Sequence, residues 1–85
     1  MFLHTTHVEA KPGFHLFVRF NNGVAGEIDL SAELWGEMFE PLKDEKLFAT
    51  AHQDEVMQTV VWANGADLAP EYLFGLMKRQ QSAAA

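Results

Sequence analysis

The sequence predicts an α+β fold: one small domain with an antiparallel meander, a second hairpin, short helices and a C-terminal helix. Three observations predict it. FHLFVRF and VAGEIDL both alternate apolar and polar residues, with the turn signal Asn21-Asn22-Gly23 between them. Further on, TAHQ and TVVWA read as a second pair of short strands. After Pro70, apolar residues recur at helical spacing. The length of 85 residues suits a single domain, residues 1–85.

HVEAK is expected to form the first strand, and Pro12-Gly13 suits the centre of a type II turn. A two-residue loop there places Val8 and Ala10 on the face of Phe17. In the second strand Phe14, Leu16, Val18 and Phe20 point one way, and His15, Phe17 and Arg19 the other. The register of the next hairpin follows from burial. A two-residue Asn22-Gly23 loop would set Val18 against Glu27. A three-residue loop pairs Phe20 with Val24, Val18 with Gly26 and Leu16 with Ile28, so the apolar faces coincide. Gly23 is then left-handed, and His15 faces Asp29.

Ser31 can cap a short helix through Leu34 and Trp35 that stops near Gly36. Asp44 can cap a turn of helix carrying Leu47 and Phe48. Pro70 suits the first position of the last helix. There Ala69, Tyr72, Leu73, Leu76 and Met77 share an arc of about 140°, and Phe74 falls outside it. The tail, from about residue 80 to 85, is polar and then small and is expected to fray.

Composition narrows the function. Twelve carboxylates face six lysines and arginines, and nine of the twelve lie between Glu27 and Glu55. Such a surface repels phosphate backbones, so direct nucleic-acid binding is disfavoured and a small basic protein partner is easier to accommodate. A chain this short buries only about 60% of its unfolded surface. With 48% hydrophobic residues, some apolar surface is expected to serve a homo-oligomer or a partner. The absence of cysteine agrees with a reducing cytoplasm. No signal peptide or membrane span is expected.

No motif carries clear site chemistry. In VVWANGADLAPEYLF a strand signal runs into a polar loop and then a helix. Asn64, Gly65 and Asp67 form its candidate functional loop. Asn64-Gly65 gives access to positive φ, and Asp67 can accept hydrogen bonds from loop or helix N–H groups. Two oxygen side chains are too few for a closed divalent-cation site. His4 and His7 face opposite sides of an extended segment, which disfavours a metal site. His15 and Asp29 could form a base and its orienting carboxylate, the basis of a small-enzyme alternative. Neither Ser31 nor Ser82 sits in a recognisable nucleophile elbow. The glycines are scattered, with no phosphate loop, and no cofactor is expected. Trp35 and Trp62 are expected to fill the core.

Two long stretches resemble a known family. Leu30-Ser31, Leu34-Trp35-Gly36, Phe39-Glu40-Pro41-Leu42-Lys43-Asp44 and Leu47-Phe48 form one. Val61-Trp62-Ala63-Asn64-Gly65-Ala66-Asp67-Leu68-Ala69-Pro70-Glu71 is the other. They are similar to the bacterial domain of unknown function 2442, over about Val8 to Leu76. Many relatives have Pro where this chain has Ala63. The resemblance implies a small α+β domain of the bacterial cytoplasm, with no catalytic residues to carry over. Some relatives carry a C-terminal helix-turn-helix, which is not expected here because the chain ends at Ala85. Others are encoded beside a second small protein, as in toxin–antitoxin pairs.

The expected function is therefore a non-enzymatic protein-interaction module, the antitoxin-like or accessory half of a small bacterial pair. The alternative is a sensor or dimerisation domain in transcriptional regulation. Phe17 and Phe74 are the candidate interface residues. Both lie off the predicted buried faces, and exposed aromatics of this kind are enriched at interfaces.

Overall fold

The computed structural model describes residues 2–83. β1 (Thr5–Lys11), β2 (His15–Phe20) and β3 (Ala25–Asp29) form an antiparallel meander. A 3₁₀ turn (Glu40–Lys43) and a one-turn helix α1 (Glu45–Phe48) follow. β4 (His52–Asp54), β5 (Thr59–Val61) and β6 (Asp67–Leu68) form a second antiparallel sheet. Helix α2 (Pro70–Ala83) closes the order. The architecture is the expected α+β, with β6 as an additional strand.

The β2–β3 register is the one that burial demands. Leu16 faces Ile28, Val18 faces Gly26 and His15 faces Asp29. Gly23 has φ of 87°, and the Phe20 N–H donates to the Val24 carbonyl at 2.8 Å. The β1–β2 register differs from expectation. Val8 faces Val18 and Ala10 faces Leu16, so both share the core face rather than that of Phe17. The cause is a three-residue loop, Pro12-Gly13-Phe14, with Gly13 at φ 79° and Phe14 at φ 62°. A left-handed phenylalanine costs about 1–2 kcal/mol. Two contacts offset that cost: the Phe14 ring meets Phe48 edge-on at 5.4 Å, and its carbonyl accepts the Leu30 N–H at 2.9 Å.

The two sheets meet where β1 passes β4, joined by side chains and by one backbone bond, from the Thr5 N–H to the Gln58 carbonyl at 3.2 Å. The Thr5 hydroxyl donates to the Gln53 amide oxygen, and Gln53 Nε2 donates to the Thr5 carbonyl at 2.7 Å. Thr5 is fully buried, so this pairing satisfies polar groups that water cannot reach. The core gathers Leu16, Val18, Phe20, Ile28 and Leu30 from the meander. Phe48 and Trp62 join from the second half, and Leu73, Leu76 and Met77 from α2. Trp62 is 1% exposed and donates its indole N–H to the Phe48 carbonyl at 3.1 Å, tying β5 to α1.

Helix α2 buries Leu73, Leu76 and Met77 as expected, but Tyr72 and Ala69 are exposed. The buried arc is turned toward Phe74, whose ring meets Phe20 edge-on at 5.2 Å. The helix continues to Ala83, so its described residues are helical where fraying was expected from about residue 80; the rest of that tail lies outside the described residues. Gln80 pairs with the open edge of β3: its Oε1 accepts the Asp29 N–H at 2.9 Å, and its Nε2 donates to the Asp29 carbonyl at 2.8 Å. One turn earlier Met77 packs over Gly26, where an added Cβ would lie 2.8 Å from Sδ.

No helix forms at Ser31. The segment makes turns: Ser31 N–H donates to Asp29 Oδ1 at 2.8 Å, and Glu33 N–H to the Leu30 carbonyl. About one turn of helix does not recover its nucleation cost without a packing face along its length. Asp44 caps α1 as expected, accepting the Lys46 N–H at 2.9 Å. No helix among the described residues is long and apolar enough to cross a membrane.

Candidate interaction surface

The turns after β3 set up the most distinctive surface. Leu34 is 3% exposed and takes the core position. Gly36, at φ 92°, then reverses the chain, and its carbonyl accepts both the Phe39 and Glu40 N–H groups. Between them Trp35 is turned outward and is 71% exposed, contrary to its expected core role. It lines a groove of about 440 Å³ with Met38, Phe39, Leu68 and Tyr72. Glu33 and Glu37 line the groove too, and no lysine or arginine does.

The groove is fixed from two sides. The Tyr72 hydroxyl donates to Glu33 Oε1, joining α2 to the post-β3 turn. That bond holds the phenol above its ordinary titration range; burial adds to the shift and Arg79 opposes it. On the other side, Asn64 Nδ2 donates to the Met38 carbonyl at 3.0 Å. The loop of Asn64, Gly65 and Asp67 thus supports one wall of the groove.

That loop is itself a hairpin turn. The Trp62 N–H donates to the Ala66 carbonyl, and the Gly65 N–H to the Trp62 carbonyl, both at 2.9 Å. Gly65 has φ of 89°. Asn64 Oδ1 accepts the Ala66 N–H at 3.1 Å. Asp67 lies in β6 opposite Val61 and is exposed. Contrary to expectation, its carboxylate accepts no hydrogen bond among the described residues.

Phe17 and Phe74 lie on opposite faces of the meander, so no single flat interface can use both. Phe17 is half-buried on the outer face, with Glu9 and Glu27 opposite it in register and the His7 ring edge-on at 6.1 Å. Phe74 is half-buried on Phe20, under Lys78 Nζ at 5.3 Å from its centroid. Sequence reasoning missed the groove because it assigned Trp35 to a helix and Tyr72 to the buried arc. The signal in hand was the grouping of Glu33, Trp35 and Glu37 beside Gly36, which together favour a turned, solvated segment.

His15 lies on the same outer face as Phe17. Its Nδ1 is 2.8 Å from Glu27 Oε2 and its Nε2 is 3.7 Å from Asp29 Oδ1. The His15 ring thus lies between two carboxylates, within hydrogen-bond distance of Glu27 and beyond it for Asp29. Asp29 is held below the ordinary carboxylate range, chiefly by hydrogen bonds from Ser31 and secondarily by His15. His4 Nδ1 contacts the Phe2 carbonyl at 3.2 Å, while His7 sits beside Glu9.

Two likenesses relate the chain to known proteins. Residues 5–78 match the family model described as "Protein of unknown function (DUF2442)". The crystal structure of "Putative DNA Binding Protein NE0471" from Nitrosomonas europaea ATCC 19718 shares the fold, with a TM-score of 0.83 at 24% identity. The alignment covers 96% of this chain and 53% of that one, so the chain spans about half the length of the solved protein. No curated protein matches the chain.

Proposed function

The chain belongs to the DUF2442 family, and from that premise we propose that it is a non-enzymatic protein-interaction module whose binding face is the Trp35 groove. The observation that supports this reading is Trp35 itself, 71% exposed beside Met38 and Tyr72. Tryptophan, tyrosine and methionine are enriched at the centres of protein interfaces, where a few anchors supply most of the affinity. The module serves a two-protein pair in the bacterial cytoplasm as its antitoxin-like or accessory half, with a small basic protein as its partner, or else as a homo-oligomer.

The test is affinity purification from native cells of the wild-type chain and of Trp35→Ala. Trp35 is not in the core, so the variant should melt normally. A stoichiometric partner kept by the wild type and lost by the variant supports the module. Equal recovery on both, or a folded wild type that recovers nothing, refutes it.

A second reading is a sensor or dimerisation domain in transcriptional regulation. It draws support from the DNA-binding description of the similar structure and from the chain spanning about half of that protein. The formal net charge of −6 argues that any DNA contact is made by another domain or chain. Light scattering together with a DNA mobility-shift assay separates this reading from the first.

A further inference from the structure

We propose that the Trp35 groove receives a cationic segment of a protein partner, seating an arginine or lysine side chain against the Trp35 ring between Glu33 and Glu37. This rests on the interaction-module reading and adds the chemistry of the occupant. The groove combines the two features that a guanidinium or ammonium group selects. An exposed indole offers a flat π-face, the best aromatic partner for a cation. Two carboxylates line the same groove, with no cation among its lining residues to neutralise them.

The site is also prepared in advance. Tyr72 and Glu33 hold one another, so ordering them costs the partner little. Glu33 gives only one acceptor position to Tyr72 and keeps others for an incoming donor. The cation that acts on Tyr72 from within the chain is Arg79, two turns along α2 and outside the groove lining. A second copy of the chain fits the groove poorly. It would bring a formal charge of −6 and an identical acidic groove, so close approach is repulsive. A lysine- or arginine-bearing segment reverses that sign. The aliphatic stem of either side chain covers Met38 and Leu68 while its charged head reaches the carboxylates.

The two tryptophans make the test direct. Trp62 is buried and Trp35 is exposed, so their indole N–H resonances in a proton–nitrogen correlation spectrum report core and groove separately. Hexa-arginine, hexa-citrulline and hexa-glutamate peptides are titrated into the full chain at low salt. Hexa-arginine should shift the Trp35 indole and the backbone signals of residues 33–39 in a saturable way, leaving Trp62 unmoved. Citrulline keeps the shape and loses the charge, so its affinity should fall about tenfold. The Glu37→Gln variant, which leaves the Tyr72–Glu33 bond in place, should weaken binding severalfold while its melting temperature stays near that of the wild type. Hexa-glutamate should do nothing.

The proposal is overturned if hexa-arginine causes no shift at millimolar concentration. It is equally overturned if citrulline binds as well, or if the shifts map to the His15 and Glu27 face. The two readings fail separately. Loss of the cellular partner in Trp35→Ala together with silence toward hexa-arginine removes only the cationic occupant. Retention of that partner by Trp35→Ala removes the module itself.

Discussion

Asn64, in the turn between β5 and β6, and Asp67, at the start of β6, sit three residues apart, and the structure gives them unequal weight. Replacing Asn64 with alanine removes two hydrogen bonds: Oδ1 from the Ala66 N–H at 3.1 Å and Nδ2 to the Met38 carbonyl at 3.0 Å. Each is worth about 0.5–1.5 kcal/mol net, so Asn64→Ala should lose about 1–3 kcal/mol. Asn64→Asp separates the two contributions. A carboxylate still accepts the Ala66 N–H but cannot donate to Met38, so that variant should lose about half as much. Asp67→Ala removes an exposed carboxylate without a partner and should stay within about 0.5 kcal/mol of the wild type. Urea unfolding measures all three, and heat offers a cross-check at about 4–8 °C for each kcal/mol in a domain of this size. Asp67→Ala falling below Asn64→Ala would refute the assignment, because it would make the carboxylate the cap of the loop.

Three further outcomes concern a turn, the β3 edge and the groove. Gly23→Val should cost more than about 1 kcal/mol in urea unfolding, because a β-branched residue resists φ of 87°; no heavy atom beyond its own chain neighbours lies within 4 Å of its added Cβ, so the loss is one of backbone conformation. Gln80→Ala should lower stability by about 1 kcal/mol and speed amide exchange at Asp29, whereas a surface glutamine without partners would change neither. The Tyr72 phenol is held above its ordinary value by Glu33, so its contribution is full below about pH 10 and disappears as pH rises through the folded-state titration. Tyr72→Phe should therefore be less stable than the wild type at neutral pH, with the gap closing in strong alkali; a gap independent of pH counts against the Glu33 bond.

The meander was legible because burial allows one register. Pairing Leu16 with Ile28 and Val18 with Gly26 is the arrangement that puts both apolar sets inside, and the turn signal could deliver it. The same logic was available again downstream. Phe20-Asn21-Asn22-Gly23-Val24 and Trp62-Ala63-Asn64-Gly65-Ala66 share an aromatic start, an Asn-Gly pair and an apolar exit. They share the hydrogen bonding too, with Asn22 Oδ1 accepting the Val24 N–H as Asn64 Oδ1 accepts that of Ala66. β6 escaped notice because a two-residue strand has no alternation to read and Pro70 follows so closely. The β1–β2 loop was illegible for another reason. Pro12-Gly13 satisfies a two-residue turn locally, and only the distant contacts of Phe14 with Phe48 and Leu30 make the longer loop worthwhile. Trp35 illustrates the same limit in the candidate surface. Its neighbour Leu34 fills the core site, and no periodicity within four residues says which of two adjacent apolar side chains turns inward.

The amide of Gln80 on the edge of β3 has a consequence for the order in which the chain is made. Asp29 and Gln80 are 51 residues apart, so at cellular translation rates of about 5–20 residues per second the edge is synthesised roughly three to ten seconds before its cover. During that interval the first three strands already have their partners in sequence, and β3 presents open backbone groups to every other nascent chain nearby. Glu27 and Asp29, charged and on the outer face of that strand, work against such pairing by repelling a second copy of the same strand. The nascent meander is thus guarded first by charge and afterwards by the helix.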